Sequence, residues 1–357
     1  MKTRDVSVIL LAFLLAAMIT VPLISANEQT MSNVPLPQLQ PDNTQQKSII
    51  HNGFSFSKAD NMTNIPEGAI IQDSADGFTR VFDSGGKQIL ISNDANSPEI
   101  PTPGGLLLAD RITQVPNGSY IQVGDNDTTN VFLNNKRILT VLSHTQKKTP
   151  IPSTSGWVEE TKTNQIPSVS QFIAYWTVPT TPTNPNTGAI SYIFNALQPP
   201  STPNVIIQPV LEYNVNTNNH QWTGAPWYVD SSGHGYEGTR INTASGHVIE
   251  GQLLWNPNLQ RWDVFIADEQ TGGHSSEFST NAPQMGINND YAFCALEAYY
   301  VNNNSDIPGT ITFTNMQALN ANFNPIYFSW IPWVSTNMGL SNLGVASNGM
   351  SYVYLYT

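Results

Sequence analysis

Three polar side chains lie in otherwise apolar stretches of the sequence, and their types suit hydrolytic chemistry. Alternation along segment 205–213, VIIQPVLEY, places Gln208 and Glu212 on one face of an extended chain whose other face is apolar. Glu297 is the single charge in segment 291–301, YAFCALEAYYV. A carboxylate can transfer protons, and a carboxamide can donate hydrogen bonds to a developing oxyanion. The three residues are therefore candidates for acid–base hydrolysis.

The elements that must position these residues are β-strands. Aromatic residues and Val in a run covered on both sides predict an interior strand at 291–301. Segment 205–213 also predicts a strand, at a sheet edge or a bulge, because Pro209 lacks the N–H donor of the ladder. A purely structural interpretation fits the same residues, with Glu297 as a well-paired buried carboxylate and the polar pair on a solvent-facing surface. Position alone leaves both interpretations open.

The rest of the chain has the composition of an all-β protein. Charged residues make up 11% of the 357 residues, turn-forming residues are abundant, and no run of helical period persists. From residue 157 to 357 the pattern predicts roughly 12 to 14 strands joined by Asn, Gly and Pro turns. We expect a large antiparallel β-sandwich of two sheets in this region.

The part of the chain before the predicted sandwich divides into four segments. Residues 1–26 have two early positive charges, an apolar run and small residues at the end, which predict a signal peptide and export from the cell. Residues 27–60 are polar without periodicity and predict a flexible lead-in. Residues 61–145 contain a repeat at an offset of 50, with IPEGAIIQ recurring as VPNGSYIQ, and predict a small β-rich domain. Residues 146–156 predict an exposed linker.

Charge and cysteine content exclude several functional classes. Residues 151–357 carry 3 Lys and Arg against 13 Asp and Glu, which is too few cations for a nucleic-acid-binding patch. So few basic groups also limit charge repulsion in acid, although an ordinary acidic surface has the same pattern. The single Cys294 excludes an intramolecular disulfide and a cysteine-only metal site. Neither a metal nor another cofactor is expected.

Three further patterns predict ordinary structure. Asp83-Ser84-Gly85 resembles an aspartic-peptidase loop, but its counterpart in the repeat, residues 133–135, has no carboxylate, so a hairpin turn is expected. Segment 124–130 lacks the Gly and the distal Glu of a calcium loop and predicts a turn. The histidines after residue 150 have no metal-ligand spacing and are expected at the surface. They are His220, His234, His247 and His274.

The order of several segments resembles the glutamic peptidase (eqolisin) family over residues 170–320. The matching segments are WTVP at 176–179, IIQ at 206–208, LEAY at 296–299 and TITFTN at 310–315. The resemblance implies two large antiparallel sheets, similar to the concanavalin-like fold, with a substrate groove on one concave face. It also implies a secreted precursor, whose removable N-terminal segment would here be residues 27–150.

In that family a Gln–Glu pair hydrolyses peptide bonds at acid pH, and the resemblance places the pair on Gln208 and Glu297. Glu212 then matches an acidic position that orients the pair. The tryptophans that the resemblance makes candidates for substrate binding or support of the site are Trp176, Trp222 and Trp227. The chain departs from the family pattern at Ala298, where the family has Trp, and Gln198 is the alternative to Gln208 in another register.

These observations predict a secreted, acid-acting endopeptidase that is made as a precursor. Polypeptide is the expected substrate, and the mature chain is expected to be a monomer that binds neither nucleic acid nor membrane. The alternative is a non-catalytic secreted β-sandwich that binds carbohydrate or another surface by stacking exposed aromatic side chains on it. Those side chains would be Trp222, Trp227, Trp255 and Trp262.

Overall fold

The computed structural model describes residues 65–144 and 156–357, except 165–168, 185–187, 201, 203–204, 216–219, 272–273, 284 and 286–290. The predicted signal peptide, the predicted lead-in and nearly all of the predicted linker therefore lie outside the described residues. Within the described ranges, no helix is long and apolar enough to cross a membrane.

The first nine strands come from the region of the sequence repeat. They are β1 (Ala69–Asp73), β2 (Phe78–Phe82), β3 (Gln88–Asn93), β4 (Glu99–Thr102), β5 (Gly105–Leu108), β6 (Ile112–Gln114), β7 (Ser119–Val123), β8 (Thr128–Leu133) and β9 (Lys136–Leu142). Strands β1–β3 and β7–β9 occupy equivalent positions in the two copies of the repeat. Two short 3-10 helices, Asp94–Asn96 and Ala109–Arg111, flank the hairpin β4–β5, which lies between the copies.

Fifteen further strands lie in the described part of residues 156–357. They are β10 (Gly156–Thr163), β11 (Val169–Thr177), β12 (Ile190–Gln198), β13 (Ile206–Tyr213), β14 (Trp222–Val229), β15 (Gly235–Glu237), β16 (Ile241–Thr243), β17 (Val248–Asn256), β18 (Arg261–Asp268), β19 (His274–Thr280), β20 (Tyr291–Tyr299), β21 (Ile311–Asn320), β22 (Trp330–Val334), β23 (Gly344–Asn348) and β24 (Tyr352–Tyr356). A third 3-10 helix, Asn304–Asp306, precedes β21.

These strands form two large sheets that pack face to face. The thirteen-strand sheet has the order β23-β24-β21-β11-β17-β18-β19-β7-β8-β9-β1-β2-β3. The nine-strand sheet has the order β22-β10-β20-β12-β13-β14-β15-β6, with β16 also paired to β14. The main apolar core combines side chains of both sheets, such as Leu253 and Ile266 of the former with Ile207 and Leu296 of the latter. The prediction of an all-β sandwich is confirmed.

The N-terminal strands extend these sheets directly. β7 pairs in parallel with β19, and β6 pairs in parallel with β15, so the region predicted as a small domain at 61–145 adds strands to both sheets. By contrast, the strand pairs described within 156–357 are antiparallel, as predicted. Parallel neighbours come from distant parts of the chain, so a local hairpin pattern does not reveal them.

In the nine-strand sheet, the central strands β20, β12, β13 and β14 are buried on both faces. The inner face of this sheet packs on the thirteen-strand sheet, and its opposite side, which we call the outer face, is covered by the hairpin β4–β5. Ile100 and Leu106 of the hairpin share an apolar cluster with Val210 of the outer face. A Cβ added at Gly235 would lie 3.0 Å from Leu107 Cδ1, so the absence of a side chain there lets the hairpin approach closely. Burial of apolar surface therefore holds the hairpin in place.

Candidate active site

Glu297 lies on β20, which runs between β10 and β12 in the interior of the nine-strand sheet. Neighbouring side chains alternate as the sequence predicted, with Phe293 and Tyr299 in the outer-face cluster and Leu296 in the main core. Glu297 is fully buried, and the Tyr299 hydroxyl lies 2.5 Å from its Oε1. The strand ends at Tyr299, two residues before the predicted end, because Tyr300 turns the chain with a φ of 59°.

Gln208 and Glu212 lie on β13 and are fully buried on the outer face. The face predicted from alternation is correct, because Val210 between them belongs to the outer-face cluster. Pro209 predicted either a sheet edge or a bulge. The sheet edge is wrong, since β13 is an interior strand between β12 and β14. Pairing with β12 lapses beside Pro209, and Pro226 of β14 lies opposite it. Two residues without an N–H donor thus face each other, which lets the sheet accommodate both.

Glu297 and Glu212 belong to one row of residues across the outer face, with Tyr192 of β12 between them. Gln208 lies four residues before Glu212 on β13. The backbones of Gln208 and Glu297 are therefore separated by two strand spacings, about 10 Å, and by about 13 Å along the strands. The two side chains face a common space from two sides rather than lying next to each other.

Glu212 is a buried carboxylate with a full set of donors. Trp227 Nε1 donates to Oε1 at 2.7 Å, and Thr223 Oγ1 donates to Oε2 at 3.0 Å. Arg240 Nε donates to the same Oε2 at 2.9 Å and lies 2.5 Å from a carboxylate oxygen of Glu237. Burial raises the pKa of the Glu237 carboxyl to about 8, although Arg240 opposes the shift. This cluster ties β13, β14 and β15 together at one end of the outer face.

The hairpin β4–β5 places three consecutive backbone carbonyls against side-chain donors of the outer face. The pairs are Tyr192 Oη with Pro101 O at 2.7 Å, Tyr299 Oη with Thr102 O at 3.0 Å, and Gln208 Nε2 with Pro103 O. The three hairpin residues are themselves buried. A segment of the protein's own chain therefore occupies the space between Gln208 and Glu297.

The two tyrosines are neutral hydrogen-bond donors. Burial, followed by the negative charge of Glu297, raises the pKa of Tyr299 well above its usual value. Burial, followed by the charge of Glu212, does the same to the pKa of Tyr192. The Tyr299 hydroxyl has one proton for two acceptors, Glu297 and the Thr102 carbonyl, so departure of the hairpin would leave that proton to Glu297 alone.

Two of the predicted substrate-binding tryptophans lie away from the outer face. Trp176 is on β11 of the thirteen-strand sheet, and its ring is buried in the main core. Trp222 is on β14 but also belongs to the main core. Trp227, in contrast, is buried on the outer face and bonds Glu212. The order of sequence motifs had suggested all three, and motif order does not specify on which face a side chain lies.

The tryptophans predicted as an exposed stacking surface are not exposed. Trp222, Trp227 and Trp262 are buried, and Trp255 is half-buried against the main core. Within the described residues, the exposed aromatic side chains are elsewhere. They include Tyr300, Phe323, Tyr327, Trp333 and Tyr356.

Sequence reasoning missed the two tyrosines and the covering hairpin. Tyr299 follows Glu297 at a spacing of two, so its place on the same face was visible in the alternation. Tyr192 carried no comparable signal. Segment 99–108, EIPTPGGLLL, has the Pro-Gly turn of a hairpin between apolar residues. Its contact with the outer face joins parts of the chain about a hundred residues apart, as in the Gln208–Pro103 pair, which no local pattern predicts.

The remaining motif predictions have different outcomes. Asp83 Oδ1 accepts a hydrogen bond from Gly85 N at 2.9 Å, which confirms the hairpin turn. In the described part of the chain, no group of three or more His, Cys, Asp and Glu side chains could hold a metal ion. His234 is fully buried rather than at the surface, with its Nε2 at 2.9 Å from Thr113 Oγ1. Gln198 ends β12 and pairs with Tyr291, six residues before Glu297 on β20. Gln208 is offset by only four residues from the row that contains Glu297.

Comparison with known proteins finds similar structures but no matching sequence. No family model and no curated protein matches the chain. A scytalido-glutamic peptidase with a peptide-based transition state analog has a TM-score of 0.41 and 11% identity, over 57% of this chain and 98% of that one. SCP-B, a member of the eqolisin family in a complex with the tripeptide Ala-Ile-His, has a TM-score of 0.41 and 12% identity over the same shares. A Bacillus licheniformis β-glucanase has a TM-score of 0.25 and 12% identity, over 56% of this chain and 71% of that one. Similarities at this level assign neither family nor function.

Proposed function

We propose that the protein is a secreted, acid-acting endopeptidase, made as a precursor, in which Gln208 and Glu297 hydrolyse peptide bonds. The observation that carries the proposal is the contact of outer-face donors with three consecutive carbonyls of residues 101–103. Every polypeptide has such carbonyls, so a face that binds them in series suits a polypeptide ligand. The resemblance of segment order to the glutamic peptidases supports the same proposal.

Glu297 supplies the proton transfers in this proposal. As a carboxylate it takes a proton from a water molecule, whose oxygen bonds to the carbonyl carbon of the substrate. The protonated carboxyl then gives this proton to the leaving nitrogen as the C–N bond breaks. Gln208 Nε2 donates a hydrogen bond to the oxyanion that forms on the carbonyl oxygen. Because a carboxamide does not titrate in acid, one carboxyl group can act as base and then as acid without a like-charged partner.

The separation between Gln208 and Glu297 fits a peptide that lies between them. In the described chain Gln208 donates to the Pro103 carbonyl, and Tyr299, which contacts Glu297, reaches the preceding carbonyl, that of Thr102. Tyr299 is thus a positioning residue, which holds the Glu297 carboxylate beside the bound backbone. A substrate and its attacking water would take the space that the hairpin fills.

The hairpin makes the chain an inhibited precursor in this proposal, because a substrate cannot enter while residues 101–103 are buried on the outer face. One anchor at the base of the hairpin weakens in acid. Arg111, the last residue of the 3-10 helix that follows the hairpin, lies 2.9 Å from Asp73. Burial opposes ionisation, but His234 and Arg111 hold the pKa of Asp73 below its usual value. The stability from this pair is present above the ordinary Asp range and is lost as pH falls through the lowered pKa, so this anchor is weaker in acid. Burial raises the pKa of the neighbouring Asp110 to about 6, and protonation of that carboxyl acts in the opposite direction.

Uncovering the outer face tests the proposal. In the full chain, Leu106→Asp places a polar carboxyl group in the apolar contact between hairpin and outer face, and Leu259→Asp makes the same change at an exposed turn. We expect the first variant to hydrolyse a reduced, unfolded protein in acid at least about tenfold faster than the wild type and the second to match the wild type. Circular dichroism verifies that both variants fold. If none of the three chains hydrolyses the substrate between about pH 2 and pH 5, the peptidase proposal is wrong.

A second candidate is a surface-binding or carbohydrate-binding role, which the exposed rings of Tyr327 and Trp333 favour. Aromatic faces of this kind can stack on apolar faces of a ligand. Co-sedimentation with insoluble polysaccharides measures this binding. Binding that Trp333→Ala or Tyr327→Ala abolishes would support the second candidate, and absence of binding by the wild type would contradict it.

A further inference from the structure

The segment that occupies the outer face has proline on both sides of Thr102. All three carbonyls of residues 101–103 contact donors of the outer face. Pro101 and Pro103 have no backbone N–H, so they bring no donor into this buried space that would need an acceptor. The segment bound to the outer face therefore presents three carbonyls and lacks the N–H group at two of its three residues.

An ordinary residue in place of Pro103 would bring an additional N–H group into the same space. Such a group needs a buried acceptor, and where it finds none it lowers affinity by roughly tenfold or more. Proline also restricts the unbound peptide, so less conformational freedom is lost when it binds. Both effects favour proline over other residues at this position.

The surroundings of Gln208 are apolar and closely packed. Ile206 and Val210, its neighbours on the same face of β13, and Trp227, its partner on β14, are buried in the outer-face cluster. A Cβ added at Gly104 would lie 3.1 Å from Val229 Cγ2, which is a tight contact. A small apolar ring before the bond and a small residue after it therefore suit this part of the outer face.

We infer that the outer face selects proline-containing polypeptides and that the bond it presents for hydrolysis follows a proline, at the position of the Pro103–Gly104 bond. This inference rests on the proposed peptidase function. Gln208, the oxyanion donor of that proposal, reaches the carbonyl of Pro103. In a substrate, water would add to this carbonyl carbon, the C–N bond to the next residue would break, and the proton taken up by Glu297 would pass to the released amine.

In the hairpin, the Pro103–Gly104 bond lies in a turn, whereas in an extended substrate the equivalent bond would not. Gly104 N donates to Thr102 O at 2.8 Å, and Thr102 Oγ1 donates to Gly105 O at 2.7 Å. The nitrogen that must become the leaving amine is thus engaged within the hairpin, and β5 returns directly along β4. The hairpin therefore has the sequence expected of a substrate, but its turn protects the Pro103–Gly104 bond from hydrolysis.

Matched peptides test the inference. The probe is the blocked peptide Ile-Pro-Thr-Pro-Gly-Gly-Leu, which repeats residues 100–106, and its control has Ala in place of both prolines. Mass spectrometry measures cleavage by the full chain with Leu106→Asp, and calorimetry measures binding to the full chain with Leu106→Asp and Glu297→Gln. We expect cleavage after the second proline at least about tenfold faster than any cleavage of the control, and binding at least about tenfold tighter.

The outcomes separate the inference from the proposed function. Equal cleavage of both peptides, or cleavage at other bonds only, would overturn proline selection and leave the peptidase function standing. Tighter binding of the proline peptide without cleavage of either peptide would support proline selection and contradict the peptidase function. If neither peptide is cleaved and the two bind equally or not at all, both proposals are wrong.

Discussion

The Tyr299 hydroxyl lies 2.5 Å from Oε1 of Glu297, two residues earlier on the same strand. Both residues are fully buried on the outer face of the nine-strand sheet. A neutral donor hydrogen-bonded to a carboxylate stabilises the charged form of the acid. Tyr299 therefore offsets part of the desolvation of Glu297 and fixes the direction of its side chain.

We predict that Tyr299→Phe, in the chain with Leu106→Asp, lowers kcat by roughly tenfold to a hundredfold. The acid limb of the pH–rate profile moves to higher pH, because the charged form of Glu297 has lost a donor. Tyr300→Phe, at the exposed next position, is the control and leaves the profile unchanged. Rates of peptide hydrolysis measured against pH decide the matter. An unchanged profile for Tyr299→Phe would show that this hydroxyl does not position the carboxylate.

We predict that replacement of Glu212 lowers the free energy of unfolding strongly. Glu212→Gln removes one of the two buried acidic groups that contact Arg240, and breaking such a pair costs up to about 3–5 kcal/mol. Urea unfolding measures the loss. Glu67→Gln is the matched control, since Glu67 forms a solvent-exposed ion pair with Lys136 and its loss costs less than about 1 kcal/mol. A loss for Glu212→Gln as small as that of the control would contradict the structural role of this cluster.

Strand alternation was enough to predict which residues within one strand share a face. Glu297, Gln208 and Glu212 lie on the predicted faces because a strand directs successive side chains to opposite sides. The interior position of 291–299 followed from its apolar residues on both faces. Alternation does not determine register between strands, however. The row that joins Glu297 to Glu212, and the offset of Gln208 from that row, depend on the pairing of β12 with both neighbours.

The contacts that the sequence did not predict are between distant segments. The hairpin β4–β5 reaches the outer face through Leu107 at Gly235 and through apolar burial, and neither contact has a local pattern. Trp176 and Trp222 were assigned from the order of motifs, and both pack in the main core. The edge position expected from Pro209 is wrong because Pro226 lies opposite it and the lapse in pairing accommodates both rings.

Leu107 of the hairpin approaches Gly235 closely, so we predict that a larger residue at position 235 loosens the hairpin. Gly235→Val brings a branched side chain against Leu107, since even a Cβ would lie 3.0 Å from Leu107 Cδ1. We expect faster proteolysis within residues 99–108 and at least about threefold faster acid hydrolysis by the full chain. Gly124→Val, in an exposed turn, is the control. Unchanged protease resistance of the hairpin would show that this contact does not hold it.

Because two buried glutamates have raised pKa values, we predict that the free energy of unfolding rises as pH falls from about 8 to about 5. Burial raises the pKa of Glu159 to about 8 and that of Glu237 to about 8 in the folded chain, whereas an unfolded Glu titrates near about 4.3. The folded chain therefore binds more protons than the unfolded chain between these values. Its stability consequently increases as pH falls from about 8 to about 5, and Tm rises by several degrees, on the scale of about 2–4 °C per kcal/mol.

Replacement of one carboxyl tests this pH dependence. Glu159 Oε1 accepts a hydrogen bond from Gly344 N at 2.7 Å, and Glu159→Gln keeps this acceptor while removing the ionisable group. Thermal unfolding measured from about pH 5 to about pH 8 should show a higher Tm at the alkaline end and a shallower slope than the wild type. Glu67→Gln should follow the wild type. A wild-type Tm that falls between pH 8 and pH 5 would contradict the assignment of these raised pKa values.

The measurement that tests the central claim most directly compares two full chains that differ only at Glu297. Both carry Leu106→Asp to uncover the outer face, and one also carries Glu297→Gln, which keeps the size of the side chain and removes its ability to take a proton. The initial rate of hydrolysis of an unfolded protein in acid should fall by roughly a hundredfold or more in the second chain. Equal rates in the two chains would show that Glu297 is not the catalytic base and that the hydrolysis takes place elsewhere.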